Sequence, residues 1–592
     1  MDTSSAEARD RLRQAIDDEI KGLEESIRMS KRRRNMLAPI SRLPPETLAM
    51  IFSFLSTAFG EKAKYLKWLH ATRVCHQWRE TALSYPYLWS HINFAKLPRV
   101  GIASMLARAK MAPLHLEAKA DYWRKEQFEA FERQLKPHIS HTRHLRISGE
   151  FQTGLEGLVS PAPVLEVLSL SNISRSHRFP PPVIPDALFD GIAPKLANLE
   201  LIGCNISWKS PLLKGLQTLQ IRGPSEKARP TLEDWLDALN EMSQLKALIL
   251  HSSTPVAFDD DMLISEPRRA VTLPSLTRFN ISASAKDCAL ALAHLVLPAL
   301  NCLRVAAGSH DWDGKDVRLL IPHIARNAHG PQDTAPLQSV AIGGRRMYAE
   351  IFAWTVPDAD AKFLESKTLL DMEVPARLVF RATANVGWRD GSSTEIFDGM
   401  VERLPMNTIS SLLAQSPTSF RKEDWLRHAP RLAMLKRVLC LTHVSVKPFR
   451  QMLAEDTPPG GLLRLPSLTK FILDDISLTA LRTYHLRDML IKRKEQGAPL
   501  ETLDLRTCTA SGRAIQLLAE IVGDVKGPAK TREKGHPALH DWRGGVTFFN
   551  EQDERDDDEY TGFMPYGRDF EDDEEEDAWD DYDDESDPYD NL

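Results

Sequence analysis

The sequence predicts a mixed α/β chain with three parts: an all-helical N-terminal segment, a parallel strand–turn–helix solenoid, and a disordered acidic C-terminal tail. Three observations predict it. A helix-periodic stretch with almost no Gly or Pro opens the chain, a six-residue apolar phrase returns about nine times through the body, and residues 551–592 are mostly acidic. At 592 residues, with 42 % hydrophobic, 27 % charged and 7 % aromatic side chains, the composition is that of an ordinary soluble protein and excludes a fibre. The length suits several domains or one long repeat array.

The opening helix spans residues 6–37. Gly22 is its one breaker, and Leu12, Ile16, Ile20, Leu23 and Ile27 recur at spacings of three or four, giving a single apolar stripe. The stripe covers barely three heptads, so coiled-coil pairing and packing within the chain both remain open. Lys31, Arg32, Arg33 and Arg34 follow, a run that suits either a helix C-terminus or a nuclear import signal.

Residues 40–94 carry the densest information. Pro44 and Pro45 fix a helix start, after which Leu48, Ile51, Phe52 and Leu55 are expected on one face, and a second helix carries Leu66, Leu69, Val74 and Trp78. So small a helical core has more apolar positions than it can hide, so either part of the face meets another protein or the segment is a self-contained helical cap on the next domain.

These residues resemble a known family. Leu43-Pro44-x-Glu46 with Leu48, Ile51 and Leu55, then Val74-Cys75-x-x-Trp78-Arg79, then Leu88-Trp89, look like the F-box. The loop from Thr57 to Lys67 is longer than the common pattern, and with the preceding basic helix the segment is similar to the expanded fungal F-box proteins. The resemblance covers about a tenth of the chain. It implies docking on the Skp-family adaptor of an SCF-type, cullin-RING ubiquitin ligase, with Leu43, Pro44, Ile51, Leu55, Val74 and Trp78 on or beneath the docking face.

The body, residues 110–525, repeats the phrase L-x-x-[LFV]-x-[LIV]. Its first leucines are Leu165, Leu196, Leu216, Leu245, Leu276, Leu300, Leu337, Leu468 and Leu500. Alternating apolar positions make each a short strand with one buried face, and helical stretches such as Thr231 to Met242 and Val317 to Ala328 lie between them. Strand, turn and helix in repetition is a parallel solenoid. No repeat can be placed between Arg345 and Gln415. The phrase resembles the leucine-rich repeat, whose pattern continues with Asn or Cys; Cys204 and Cys508 stand there, and Ser253, Ser284 and Gly308 replace them elsewhere. The resemblance implies that this residue caps the backbone of the neighbouring repeat.

An F-box followed by such an array resembles the F-box and leucine-rich-repeat class, in which the array holds the protein to be ubiquitinated. If the strands line a concave wall, its outward side chains include Asn198, Thr218, Asn280, Asp474, and above all Glu200, Gln220, Arg222, Arg278, Arg304, Lys470, Asp504 and Arg506. Arg278 and Arg304 are expected in equivalent slots of successive strands, forming one basic patch for an acidic or phosphorylated segment.

The tail is read from charge. Residues 551–592 hold 22 acids against Arg555 and Arg568, net −20, leaving 73 cations against 60 acids, net +13, in residues 1–550. Residues 526–592 are therefore expected to be a linker and a disordered tail, either solubilising or docking on a basic partner. The longest nearly apolar run, 13 residues from Cys288, is broken by His294 and Pro298 and falls short of the ~20 residues of a membrane span. The start MDTSSAEARDRLRQ has no apolar core behind a basic end, so no secretory leader is expected, and the expected location is cytoplasmic, nuclear or both. The six cysteines include no CxxC pair and are expected as packed thiols, with the Asn-x-Ser matches at Asn172, Asn205 and Asn280 as chance.

Chemistry-bearing motifs are few. His138, His141 and His144 lie three apart without a nearby Cys or Glu, so no metal site is expected. The run from Gly308 to Asp316 resembles a phosphate-binding loop, but has five residues between its glycines and Asp where Ser or Thr must hold magnesium. Cys440-x-x-His443 lacks a second pair, and GxSxG, HExxH and GxGxxG are absent. The expectation is a non-enzymatic substrate-recognition subunit without cofactor, bound to the adaptor and to an unidentified target protein, with no nucleic-acid or membrane partner. The alternatives are an adaptor-bound scaffold with no ubiquitination role, and a hydrolase within 345–460 built around His428 or His443.

Overall fold

A computed structural model describes residues 3–528 apart from 59–66, 121–124, 152–154, 174–179, 258–266, 329–334, 346–347, 360–375, 385–391, 418–420, 442 and 457–462. The acidic segment expected to be disordered lies outside the described residues. The chain divides into two compact units, Met1–Met452 with Leu462–Leu468, and Leu453–Gly461 with Thr469–Leu592.

The first unit begins with α1 (Thr3–Met36), whose Leu12, Ile16, Ile20, Leu23 and Ile27 are 47 to 63 % exposed; among the described residues nothing buries the stripe. Helices α2 (Pro45–Ala58) and α3 (His76–Ser84) follow, and β1 (His91–Asn93) starts the sheet two residues after Trp89. The sheet thus begins inside the segment assigned to helices, not at residue 110.

Eight more strands join in chain order, all parallel: β2 (Leu114–Lys119), β3 (Thr142–Gly149), β4 (Val167–Asn172), β5 (Asn198–Ile202), β6 (Thr218–Arg222), β7 (Ala247–His251), β8 (Arg278–Ser284) and β9 (Cys302–Ser309). The alternation in the sequence is the cause. Leu145 and Ile147, Leu168 and Leu170, Leu199 and Leu201, and their equivalents through Leu303 and Val305 are at most 1 % exposed, and the residues between them face the other way. The first leucine of each phrase has a separate job. The N–H groups of Leu165, Leu196, Leu245, Leu276 and Leu300 each bond a carbonyl three residues back, closing the turn that aims the chain into its strand.

The ladder then departs from chain order. β10 (Ser339–Arg345) and β11 (Tyr348–Trp354) form an antiparallel hairpin, and β11 pairs antiparallel with β12 (Leu378–Ala384), which is the strand lying parallel against β9. Beyond β10 the parallel run resumes with β13 (Ser411–Pro417) and β14 (Arg437–Cys440). Among its described residues, the region in which no repeat can be placed therefore contains β11, β12 and most of β13.

The second unit holds β15 (Lys470–Leu473), β16 (Thr502–Asp504) and β17 (Asp524–Lys526), again parallel, with helices Ala480–Glu495 and Gly512–Ala519 between them. Here two expected surface residues are corrected. Asp504 shares its register slot with Ile472, a core position, and is 2 % exposed. Burial alone would raise its carboxyl, but Arg506 donates from Nε and Nη2 at 2.9 Å each and holds it below the ordinary range. Asp474 is likewise buried at 7 %.

The cysteines are unpaired, and Cys204, Cys288, Cys440 and Cys508 are buried. Cys508 Sγ donates to Leu473 O at 3.2 Å, Cys204 Sγ lies 3.4 Å from Ile202 O and 3.9 Å from Leu170 O, and Ser253 Oγ donates to Ile221 O at 3.3 Å. Each thus reaches a carbonyl of the preceding strand in the stack. Ser284 does something different: it caps the helix Ala285–Ala293 by accepting from the Asp287 N–H. Asn172 and Asn205 are buried and bonded to backbone on both sides, so these two Asn-x-Ser matches are part of the ladder itself.

Candidate protein-interaction site

The helical module splits its apolar residues between two faces of α2. Pro45 opens the helix, and the Leu48 N–H bonds Pro44 O at 3.1 Å. Leu48, Ala49 and Phe52, at most 2 % exposed, join the buried Trp68, Ala82, Leu88 and Trp89. The Phe52 ring lies 5.2 Å from Trp78, Trp68 meets Trp89 edge-on at 5.2 Å, and Trp89 Nε1 donates to Ala82 O at 2.8 Å. The opposite side is apolar and exposed to solvent. Met50, Ile51 and Phe54 are 56, 37 and 70 % exposed, and Val74, at the entry to α3, is 59 % exposed.

Of the six residues expected on or beneath this face, Pro44, Ile51 and Val74 are exposed, while Leu43, Leu55 and Trp78 are half-buried. The expectation that Leu48, Ile51, Phe52 and Leu55 share one face is corrected: Leu48 and Phe52 point into the core, and Ile51 points out with Met50 and Phe54. The sequence reading missed those last two, although their i, i+4 spacing was a usable signal.

The strand wall is polar and ordered. Glu200 and Gln220 are register partners; Gln220 Nε2 donates to Glu200 Oε1 at 2.6 Å and Ser169 Oγ to Glu200 Oε2 at 2.7 Å. Arg222 faces His251 on the next strand, and Arg222 Nε and His251 Nε2 are buried without a hydrogen-bond partner. Arg304 stands opposite Asn280, and Arg278 opposite Cys302. The two arginines are therefore diagonal neighbours, one strand and two residues apart, because the phrase leads register by position and not by its charged residue. In the second unit, Lys470 is half-buried opposite Thr502, and the Arg506 side chain, 60 % exposed, is committed to Asp504.

A cluster that sequence reasoning did not find lies at the start of the sheet. His91, His115 and His144 occupy one register row of β1, β2 and β3. His91 stacks on His115 at 4.3 Å, and His115 Nδ1 lies 3.0 Å from His144 Nδ1. His138 and His141 pair separately, at 3.2 Å, so the evenly spaced trio is not one site. Among the described residues no group of three or more His, Cys, Asp or Glu is placed to hold a metal ion. Burial lowers the pKa of all three ladder histidines, and His115, between two imidazoles and near Arg143 and Arg146, is pushed down to about 3. An unfolded histidine takes its proton near pH 6.5, so below that value the unfolded chain binds more protons and stability falls with pH. His115→Phe is expected to flatten this acid limb. Calorimetric melting at about pH 7 and about pH 5 checks it: an unchanged difference means the ladder does not titrate against folding.

His428, the base considered for a hydrolase, is 3 % exposed and bonded through Nε2 to Asp398 Oδ1 at 2.5 Å, with Arg427 on the other oxygen of that carboxylate. The His443 side chain lies outside the described residues.

Comparison with known proteins defines the class of the helical module: residues 40–95 match the F-box-like family. The chain therefore carries an F-box-like domain, and the exposed face of α2 belongs to it. No curated protein matches the chain. Among solved structures, "Crystal structure of TLR13-ssRNA13 complex" is 13 % identical with a TM-score of 0.28, covering 66 % of this chain and 47 % of that one, so the chain spans about half that protein's length. No helix among the described residues is long and apolar enough to cross a membrane.

Proposed function

We propose that this protein is the substrate-recognition subunit of an SCF-type cullin-RING ubiquitin ligase. The F-box-like domain docks on a Skp-family adaptor, the strand wall, a degenerate leucine-rich-repeat array, holds a target protein, and the transfer chemistry belongs to other subunits, accelerated by proximity. The observation that carries the reading is the solvent-exposed apolar face of Met50, Ile51, Phe54 and Val74 on a segment that matches the F-box-like family. A buried core beside an exposed apolar face of the same helix is the mark of a docking module. The protein works where the ligase does, in cytoplasm or nucleus.

The wall's role has its own test. Arg278→Glu with Arg304→Glu is expected to weaken target capture about 10-fold or more and to leave adaptor binding unchanged, because the diagonal pair offers charge to an acidic segment. Pull-downs normalised to bound adaptor, with and without cullin inhibition, read both halves. An unchanged set of captured proteins removes the wall as receptor. Captured proteins whose turnover ignores cullin inhibition favour the second reading, an adaptor-bound scaffold.

A further inference from the structure

We infer that α1 pairs with α1 of a second copy of this chain as an antiparallel two-stranded coiled coil. The inference is independent of the proposed ligase role. Its starting point is a 34-residue helix, about 51 Å long, whose apolar stripe is bare: Leu12 63 %, Ile16 47 %, Ile20 47 %, Leu23 59 % and Ile27 53 % exposed. Ile16, Ile20, Leu23 and Ile27 alternate by four, three and four, which sets Ile20 and Ile27 at a and Ile16 and Leu23 at d of successive heptads.

Charge and attachment choose the direction. In a parallel pair Arg13 at a would face itself, Glu19 would face Glu24 of the other copy, and the two runs from Lys31 to Arg34 would lie side by side. In the antiparallel pair Ile20 layers on Leu23 and Ile16 on Ile27 of the second copy. Arg13 then meets the small Ser30, and Asp10 meets Lys31. The remaining like-charge contact, Asp17 against Glu24, is softened because Glu24 is already paired with Arg28 at 3.1 Å within its own helix. The body also hangs on one end only. Ser41 Oγ donates to Asn35 O at 2.8 Å and Gln77 Nε2 to Ser41 O at 3.3 Å, tying the C-terminus of α1 to α3. Parallel helices would drive two F-box-like domains together; antiparallel helices place them at opposite ends of a rod, with both apolar docking faces free.

Four apolar layers make a modest interface, so dimerisation is expected at roughly micromolar concentration. Sedimentation of the full chain from about 1 to about 100 µM is expected to move from one copy to two. Ile20→Glu with Ile27→Glu is expected to abolish the shift while adaptor capture and melting temperature stay as in the wild type, since both residues are solvent-exposed in the single copy. Direction is read by oxidising a mixture of Arg13→Cys and Ser30→Cys chains: a crosslink between the two variants, with none from Ser30→Cys alone, supports the antiparallel pair. A chain that remains single at the highest concentration, a dimer that survives the double variant, or crosslinking of Ser30→Cys with itself overturns the inference.

Discussion

Ile51→Asp together with Phe54→Asp is expected to lower adaptor affinity by at least about 100-fold and to leave the melting temperature within about a degree. Both side chains project from the side of α2 opposite Leu48 and Phe52, so the core of the module keeps its contacts. What changes is the partner's cost: two carboxylates would be buried against an apolar surface with no cation to meet them. Phe54 is 70 % exposed, so a partner that covers it gains the burial of a large apolar side chain. Leu43→Ala with Pro44→Ala is expected to act in the same direction but less strongly, because Leu43 is half-buried and also shapes the helix entry. Co-purification with a Skp-family adaptor decides. Retention of the adaptor by the aspartate pair would mean that the F-box-like domain docks by another surface, or not at all.

The second large effect concerns stability. Asp287→Ala is expected to destabilise the first unit by about 3 to 5 kcal/mol, seen as a melting point lower by several degrees. Asp287 is 4 % exposed; its Oδ2 accepts from Arg229 Nη2 at 2.7 Å and its Oδ1 from the Ala257 N–H at 2.8 Å. Arg229 also donates through Nε to Thr254 O at 2.9 Å, so one carboxylate and one guanidinium pin the stretch Thr254–Ala257 beneath the repeat. Removing the carboxylate strands a guanidinium whose side chain is only 15 % exposed. The double variant Asp287→Leu with Arg229→Met is expected to recover a good part of the loss, because it removes the unpaired charge along with its partner. A single variant that melts like the wild type would show that water reaches Arg229 and that the pair contributes little.

How much of this was legible depended on whether burial was one-sided. Leu199 and Leu201, or Phe279 and Ile281, were legible as strands because they alternate with residues that are not buried, whereas after Leu337, Leu468 and Leu500 the spacing of apolar residues alone carried the reading, since Ala341, Ile472 and Asp504 are buried as well. β11 hid because Ala349 through Trp354 are buried without alternation, sandwiched in an antiparallel context. β12 does alternate, but two of its inward positions are Ala382 and Ala384, too small to register as a hydrophobic phrase. β1 and β17 are three residues each. The candidate site divides the same way. Pro44, Ile51 and Val74 were found through a motif, whereas Met50 and Phe54 needed the helix to be seen splitting into an inner and an outer side. The ladder of His91, His115 and His144 had no local signal at all, since parallel pairing brings together residues 24 and 29 positions apart.

The join between the F-box-like domain and the sheet has a mechanical consequence. β1 pairs with β2 immediately after Trp89, and the Arg108 guanidinium of α4 (Arg99–Ala109) stacks over the Trp89 ring at 4.6 Å, so the module and the strands of the first unit share a packed seam and no linker. A sheet without a hinge at its origin is a ruler. Neighbouring parallel strands from β1 to β9 lie about 4.8 Å apart, so under the proposed function each later strand of this run would hold a target further from the docking helix. If the proposed function holds, the strand that grips a target would set how far its lysines stand from the docked adaptor, and inserting or deleting one repeat would change which lysine is offered.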